Sequence, residues 1–175
     1  KKPGLGHPVA WALFDLFFIS LYQNALLLLI ALPVVMVHGT GAPGLADYAL
    51  AVLYVGLVVF ETVADQQQWN FQSDKKRRIK AGEKLEGMAA DGFISSGLWA
   101  RSRHPNYFAE QSIWVVFFLF SVAATGRIDW SIVGCLLLIV LFRGSSNLSE
   151  SLQAAKYPRY ADYQKRVPRF IPKIF

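Results

Sequence analysis

Four mainly apolar stretches follow one another along the chain, separated by polar or glycine-rich segments. With flanking residues included, each reaches the roughly 20 residues that a helix needs to cross the core of a bilayer. The pattern predicts an all-α, polytopic membrane bundle that forms one domain over residues 1–175. An interfacial loop and a C-terminal helix or tail complete the predicted architecture. The predicted spans are 10–37, 46–66, 106–125 and 128–146.

The charges agree with a membrane protein and give it an orientation. Charged residues make up 17% of the 175 residues, whereas a soluble domain usually has about 25%. Of the 18 Lys and Arg residues, all except Arg127 lie before the first apolar run, between the second and third, or after the fourth, which ends at Phe142. Four spans place those segments on one side of the membrane, which the positive-inside rule assigns to the cytoplasm or the mitochondrial matrix.

The net charge of +6 does not indicate nucleic-acid binding, because Lys and Arg avoid the apolar runs and cluster beside them. Such clusters are typical of segments that face anionic headgroups, so the lipid bilayer is a predicted partner. The pattern describes a multi-pass protein of the endoplasmic reticulum, the mitochondrial inner membrane or the bacterial inner membrane.

A polar stripe marks the end of the second span. Its four side chains follow one another at intervals of four, three and four residues, which places them on one face of a helix. One interpretation is a polar wall of a ligand cavity at the cytoplasmic boundary; the other is a helix end that emerges into water. The stripe consists of Glu61, Asp65, Gln68 and Gln72.

The segment 97–110 has the most unusual chemistry in the chain. Arg101, Arg103 and His104 precede Pro105, which suits the first position of a helix. Cations before a helix N-terminus form a good site for phosphate or carboxylate. A basic interfacial segment anchored by its aromatic residues is the alternative.

Residues 102–110, Ser-Arg-His-Pro-Asn-Tyr-Phe-Ala-Glu, together with the preceding Gly-Leu-Trp, resemble the C-terminal domain signature of the steroid 5-alpha-reductase-like superfamily. The chain looks most like an uncharacterised membrane-protein branch of that superfamily. Phe60-Glu61, Ala64-Asp65-Gln66, the first span and the Tyr-rich tail also match. The resemblance therefore covers nearly the whole chain.

The resemblance implies a helical membrane enzyme that binds NADPH from the cytosolic side and reduces a carbon–carbon double bond of a lipid or steroid. It implies a cofactor site and no metal site. Family enzymes usually have additional N-terminal spans, so we expect this chain to be the C-terminal part of a longer architecture, and no catalytic acid can be assigned. The cofactor-binding residues implied are Asp65, Arg103, His104, Asn106, Tyr107, Glu110 and Glu150.

Two other functions remain open at this stage. Isoprenylcysteine and phospholipid methyltransferases, which use S-adenosylmethionine, also have Arg-His-Pro-x-Tyr before a span and a tail with Glu and spaced tyrosines. The chain could also be a non-catalytic membrane subunit that keeps the reductase-like fold within a larger complex. The Ala64-Asp65-Gln66 segment and the spacing from Asn106 to Glu110 favour the reductase.

Overall fold

The computed structural model describes residues 8–173, apart from the side chains of Pro8 and Phe18. The predictions that concern Lys1, Lys2 and the end of the tail lie outside the described residues. The described part is helical and contains no strand, and it has four helices long and apolar enough to cross a membrane. This confirms the predicted all-α polytopic bundle. The four helices are Val9–Met36, Leu45–Lys80, Pro105–Thr125 and Trp130–Lys156.

The first span is built from consecutive helical pieces. It comprises α1 (Pro8–Phe14), a π-helical segment (Asp15–Leu21), α2 (Tyr22–Ala31) and α3 (Pro33–Met36). Pro33 has no N–H to donate to the preceding turn, so the hydrogen-bond ladder of α2 is interrupted where α3 begins.

The second and fourth membrane-spanning helices extend beyond the apolar runs that predicted them. Helix α4 has 36 residues, or about 54 Å at 1.5 Å per residue, while the hydrocarbon core is about 30 Å thick. Its last turns therefore stand beyond the core. There Asp74 pairs with Arg77 and Arg78, both at 2.6 Å. The elements after the first span are α4 (Leu45–Lys80), α5 (Met88–Asp91), a 3-10 turn (Gly97–Ala100), α6 (Pro105–Thr125), a second 3-10 turn (Trp130–Ile132), α7 (Val133–Lys156) and α8 (Tyr160–Arg166).

The antiparallel pair of α4 and α6 forms the largest helix contact. The start of α6 meets the C-terminal half of α4, because the amide of Asn106 donates to the Asp65 carboxylate at 3.0 Å. Small residues permit close approach at this crossing: Ala64 and Ala109 are both fully buried. Helix α7 packs on α6 and α2 packs on α7, so the first span lies against the fourth.

Gly134 lets the first and fourth spans come into backbone contact. A Cβ at this position would lie 2.5 Å from the carbonyl carbon and oxygen of Leu29 and 2.6 Å from the amide nitrogen of Ile30. Backbone atoms cannot move aside as a flexible side chain can. Any larger residue must therefore push α2 and α7 apart.

We predict that Gly134→Ala destabilises the protein by about 1–3 kcal/mol, since an extra methyl group overpacks this contact. Thermal unfolding of the purified protein in detergent measures the change. Gly144→Ala is the matched control, because Gly144 is on the same helix and a Cβ there would meet nothing within 4 Å. Equal melting temperatures for the two variants would contradict the close contact.

Candidate functional site

A cavity of about 200 Å³ opens between α4, the segment before α6, the end of α7 and α8. It lies on the side that carries the basic segments. Its walls combine aromatic rings, amide side chains and two basic groups, and no described residue that lines it is an acid. The lining residues are Gln68, Gln72, Phe93, Ile94, Trp99, Arg103, His104, Asn106, Tyr107, Ser149, Gln153, Tyr160 and Tyr163.

Three amide oxygens of the cavity lining are buried without a hydrogen-bond partner. They belong to Gln68 on α4, Asn106 on α6 and Gln153 on α7. A buried acceptor without a partner costs about 1–3 kcal/mol, and such groups are rare in folded proteins. Three of them around one cavity indicate that it suits a ligand, or ordered water, that brings hydrogen-bond donors.

The start of α6 gives Asn106 and Tyr107 their positions. Pro105 is the first helical residue. The amide nitrogen of Asn106 is held by Asp65, which leaves its oxygen as the unpartnered acceptor. The ring of Tyr107 stacks on the His104 ring, with centroids 5.1 Å apart and planes inclined by 19°. An amide and a flat aromatic pair therefore form one wall of the cavity.

The Glu150 carboxylate is the centre of a buried polar network behind that wall. It is 3% exposed and accepts hydrogen bonds from Nε and Nη2 of the Arg103 guanidinium, at 2.7 and 3.2 Å. His104 Nε2 lies 3.0 Å from the same carboxylate. The side chains of Gln164 and Arg169 also donate to it, at 2.9 and 3.1 Å. One carboxylate on α7 thus joins the segment before α6 to the C-terminal tail.

Four of the five N–H donors of Arg103 are engaged by protein acceptors in this arrangement. Besides its two bonds to Glu150, its Nη1 donates to the carbonyls of Gln164, at 2.8 Å, and Val167, at 2.5 Å. The Arg103 side chain is only 10% exposed. The described contacts give its guanidinium a structural role, although the side chain also borders the cavity.

The tail is joined to the segment before α6 by backbone pairing. Arg103 N donates to the Pro168 carbonyl at 2.9 Å, and His104 N donates to that of Arg169 at 3.0 Å. The fully buried Ser102 hydroxyl lies 2.6 Å from the Phe170 carbonyl, to which it donates. The tail therefore closes one side of the cavity.

The 3-10 turn before this segment is fixed to α4 and α8. The Trp99 indole donates to the Ala64 carbonyl at 3.0 Å, and the Tyr163 hydroxyl donates to the Trp99 carbonyl at 2.5 Å. Gly97 has φ +59°, and a Cβ there would lie 2.5 Å from Oε1 of Gln67. That oxygen accepts from the backbone N–H of Leu98 at 2.9 Å. A glycine is needed at this close approach.

Burial favours the neutral forms of His104, Tyr160 and Tyr163 in the lining. It lowers the pKa of His104; Arg103 and Arg169 lower it further, although the Glu150 charge opposes this. Because a carboxylate only accepts, Nε2 of the neutral ring carries the proton toward Glu150 and Nδ1 is the acceptor. Burial also raises the pKa of Tyr160 to about 12 and raises that of Tyr163.

The structure brings four of the seven implied cofactor residues to the cavity surface: Arg103, His104, Asn106 and Tyr107. The other three lie behind it. Asp65 holds Asn106, and Glu150 holds Arg103. Glu110 accepts from the Trp114 indole at 2.9 Å and contacts the Glu61 carboxyl group.

Sequence reasoning found some members of the lining and missed others. Gln68 and Gln72 belong to the predicted polar stripe, and both line the cavity. Gln153 was not identified, although it lies one turn after Glu150 and shares its face of α7. Trp99 was assigned to a basic or anchoring segment, and its indole bond to Ala64 is visible only once α4 and the 3-10 turn are packed together.

Comparison with known proteins identifies the family. Residues 6–167 match the family described as "Protein of unknown function (DUF1295)". The chain belongs to this family. It is also 35% identical over 174 residues to the uncharacterized protein C594.04c of Schizosaccharomyces pombe. That match covers 94% of this chain and 51% of the relative, so the chain spans about half of the relative's length. No solved structure matches the chain.

We predict that Glu150→Gln destabilises the protein by about 3–5 kcal/mol, because it leaves the partly buried Arg103 and Arg169 without their counter-charge. Thermal or denaturant unfolding in detergent measures the loss. Asp162→Asn is the control: its carboxylate is 68% exposed and pairs only with Lys165, so the change should cost less than about 1 kcal/mol. If the Glu150→Gln variant unfolds at the same temperature as the unmodified protein, the network does not have a central structural role.

Proposed function

We propose that this chain is the cofactor-binding part of a membrane-embedded, NADPH-dependent reductase that acts on a carbon–carbon double bond of a lipid or steroid. The observation that carries the proposal is the cavity with three unpartnered amide oxygens. The resemblance of residues 97–110 to the steroid 5-alpha-reductase-like signature supports the same assignment. NADPH would supply the hydride for such a reduction.

The lining is chemically suited to the sugar and carboxamide groups of a dinucleotide. Ribose hydroxyls and a carboxamide NH₂ are hydrogen-bond donors. The oxygens of Gln68, Asn106 and Gln153 are acceptors without a donor in the protein. The stacked pair of His104 and Tyr107 offers a flat apolar surface to a ring. Drug-sized ligands occupy cavities of roughly 300–1,000 Å³. A cavity of about 200 Å³ therefore suits one end of the cofactor.

Within this proposal six of the seven implied residues divide into two groups. Asn106, His104 and Tyr107 would contact the cofactor. Asp65 and Glu150 would act as positioning residues, since each holds a lining residue by a direct hydrogen bond. Arg103 would mainly position the wall rather than bind phosphate, because four of its five N–H donors are engaged by Glu150, Gln164 and Val167. Glu110 contacts Glu61 and does not enter the proposal.

The charge of the lining favours NADPH over S-adenosylmethionine. Arg103 borders the cavity and no acid is among the described lining residues. Arg103 and Arg169 share the single Glu150 carboxylate, so these three groups carry a net positive charge. An anionic cofactor is favoured by that potential, whereas the sulfonium cation of S-adenosylmethionine is disfavoured. The position of the cavity at the cytoplasmic ends of membrane helices supports a substrate that dissolves in the bilayer.

We predict that Asn106→Ala and Gln153→Ala each weaken NADPH binding by roughly two- to tenfold, the loss expected for one hydrogen bond. Titration of the purified protein with NADPH measures Kd. Thermal unfolding without cofactor should show little change for Gln153→Ala, because the oxygen that it removes has no partner in the protein. Asn106→Ala also removes the hydrogen bond to Asp65, so it should cost about 0.5–1.5 kcal/mol of stability.

Gln66→Ala is the matched control, since the exposed Gln66 amide bonds only to Asn70 within α4. Its NADPH affinity should equal that of the unmodified protein. Binding of S-adenosylmethionine in place of NADPH would instead assign a methyltransferase. If the protein binds neither cofactor and partner subunits copurify stably with it, the remaining interpretation is a non-catalytic membrane subunit.

A further inference from the structure

A second recess lies on the far side of Tyr163 from the amide-lined cavity. It has a volume of about 260 Å³, and Tyr163 lines both spaces. Its described lining contains two cations and no acid. The lining residues are Ser95, Ala100, Tyr163, Arg166, Val167 and Lys173.

The two cations of this recess are fixed by backbone contacts rather than by carboxylates. Arg166 Nε donates to the Asp162 carbonyl at 3.2 Å, while the Asp162 carboxylate pairs with Lys165 at 3.1 Å. The Lys173 ammonium donates to the Arg166 carbonyl. Lys173 N donates to the Arg101 carbonyl at 3.0 Å, which fixes the end of the tail beside the recess. Both positive charges are therefore held in place and not neutralised by a described acid.

The recess lies at the depth of the lipid headgroups. Trp99, next to the lining residue Ala100, is bonded to Ala64 on α4. Ala64 lies 19 residues after Leu45, where α4 begins, which corresponds to about 28 Å along the helix. That length is close to the roughly 30 Å thickness of the hydrocarbon core. Exposed Ile171, only two residues before Lys173, gives the tail an apolar side chain beside the bilayer.

We infer that this recess binds the phosphate group of an anionic phospholipid in the cytoplasmic leaflet, with Arg166 and Lys173 as its cationic contacts. A guanidinium and an ammonium are the side chains that bind phosphate most strongly. The inference does not depend on the proposed reductase activity. Its physical basis is a basic recess at headgroup depth whose cations lack acidic partners.

The test is native mass spectrometry of the detergent-purified chain titrated with phosphatidylglycerol. The double variant Arg166→Gln/Lys173→Gln should weaken phosphatidylglycerol binding by about fivefold for each cation removed, the effect of one basic residue near an anionic surface. Lys173→Arg should retain binding because the charge remains. Thermal unfolding must show that the double variant is folded.

The control Lys76→Gln/Lys80→Gln removes the same charge from exposed positions of α4 outside the recess, and it should leave binding unchanged. An equal loss in this control would overturn the proposal in favour of diffuse electrostatic attraction. Competition by inorganic phosphate at the same concentration as the lipid would overturn the assignment to a lipid. Weaker NADPH binding by the double variant would assign the recess to the cofactor and also overturn the proposal; unchanged NADPH binding supports it.

Discussion

The arrangement of the half of the bundle that carries the basic segments depends on the hydrogen bonds and ion pairs of the buried Glu150 carboxylate. Glu150 lies on α7, and its partners come from two other parts of the chain: the segment before α6 and the C-terminal tail. A buried carboxylate is tolerated only with charged and hydrogen-bonding partners close by. The requirement therefore fixes where α6 begins and where the tail returns. The shape of the amide-lined cavity follows from both.

This arrangement separates the residues that hold the site from those that face its interior. Arg103 and Asp65 bond to other protein groups, whereas Gln68, Asn106 and Gln153 line the cavity and each keep one oxygen without a partner. An arginine near a cavity is readily taken for a phosphate ligand. Here the nearby backbone carbonyls of Gln164 and Val167 accept both donors of Arg103 Nη1.

Much of the fold could be predicted from the sequence because hydrophobic runs and the asymmetry of Lys and Arg reflect the bilayer directly. The stripe containing Gln68 and the helix start at Pro105 are local patterns, so they could also be found. The contacts of Glu150 could not, because Arg103 is 47 residues away along the chain and many acids could have been its partner. The length of α4 was underestimated because its last turns are stabilised by ion pairs and not by apolar residues.

Hydrogen–deuterium exchange of the purified chain, with and without saturating NADPH, tests most directly whether this cavity is a nucleotide site. A ligand that binds the folded cavity suppresses local opening of the segments that close it. The account predicts slower exchange in residues 97–110 and 157–170, with no change in the turn at 39–44 on the opposite side of the bundle. Unchanged exchange in both closing segments, or protection confined to the opposite side, would contradict it.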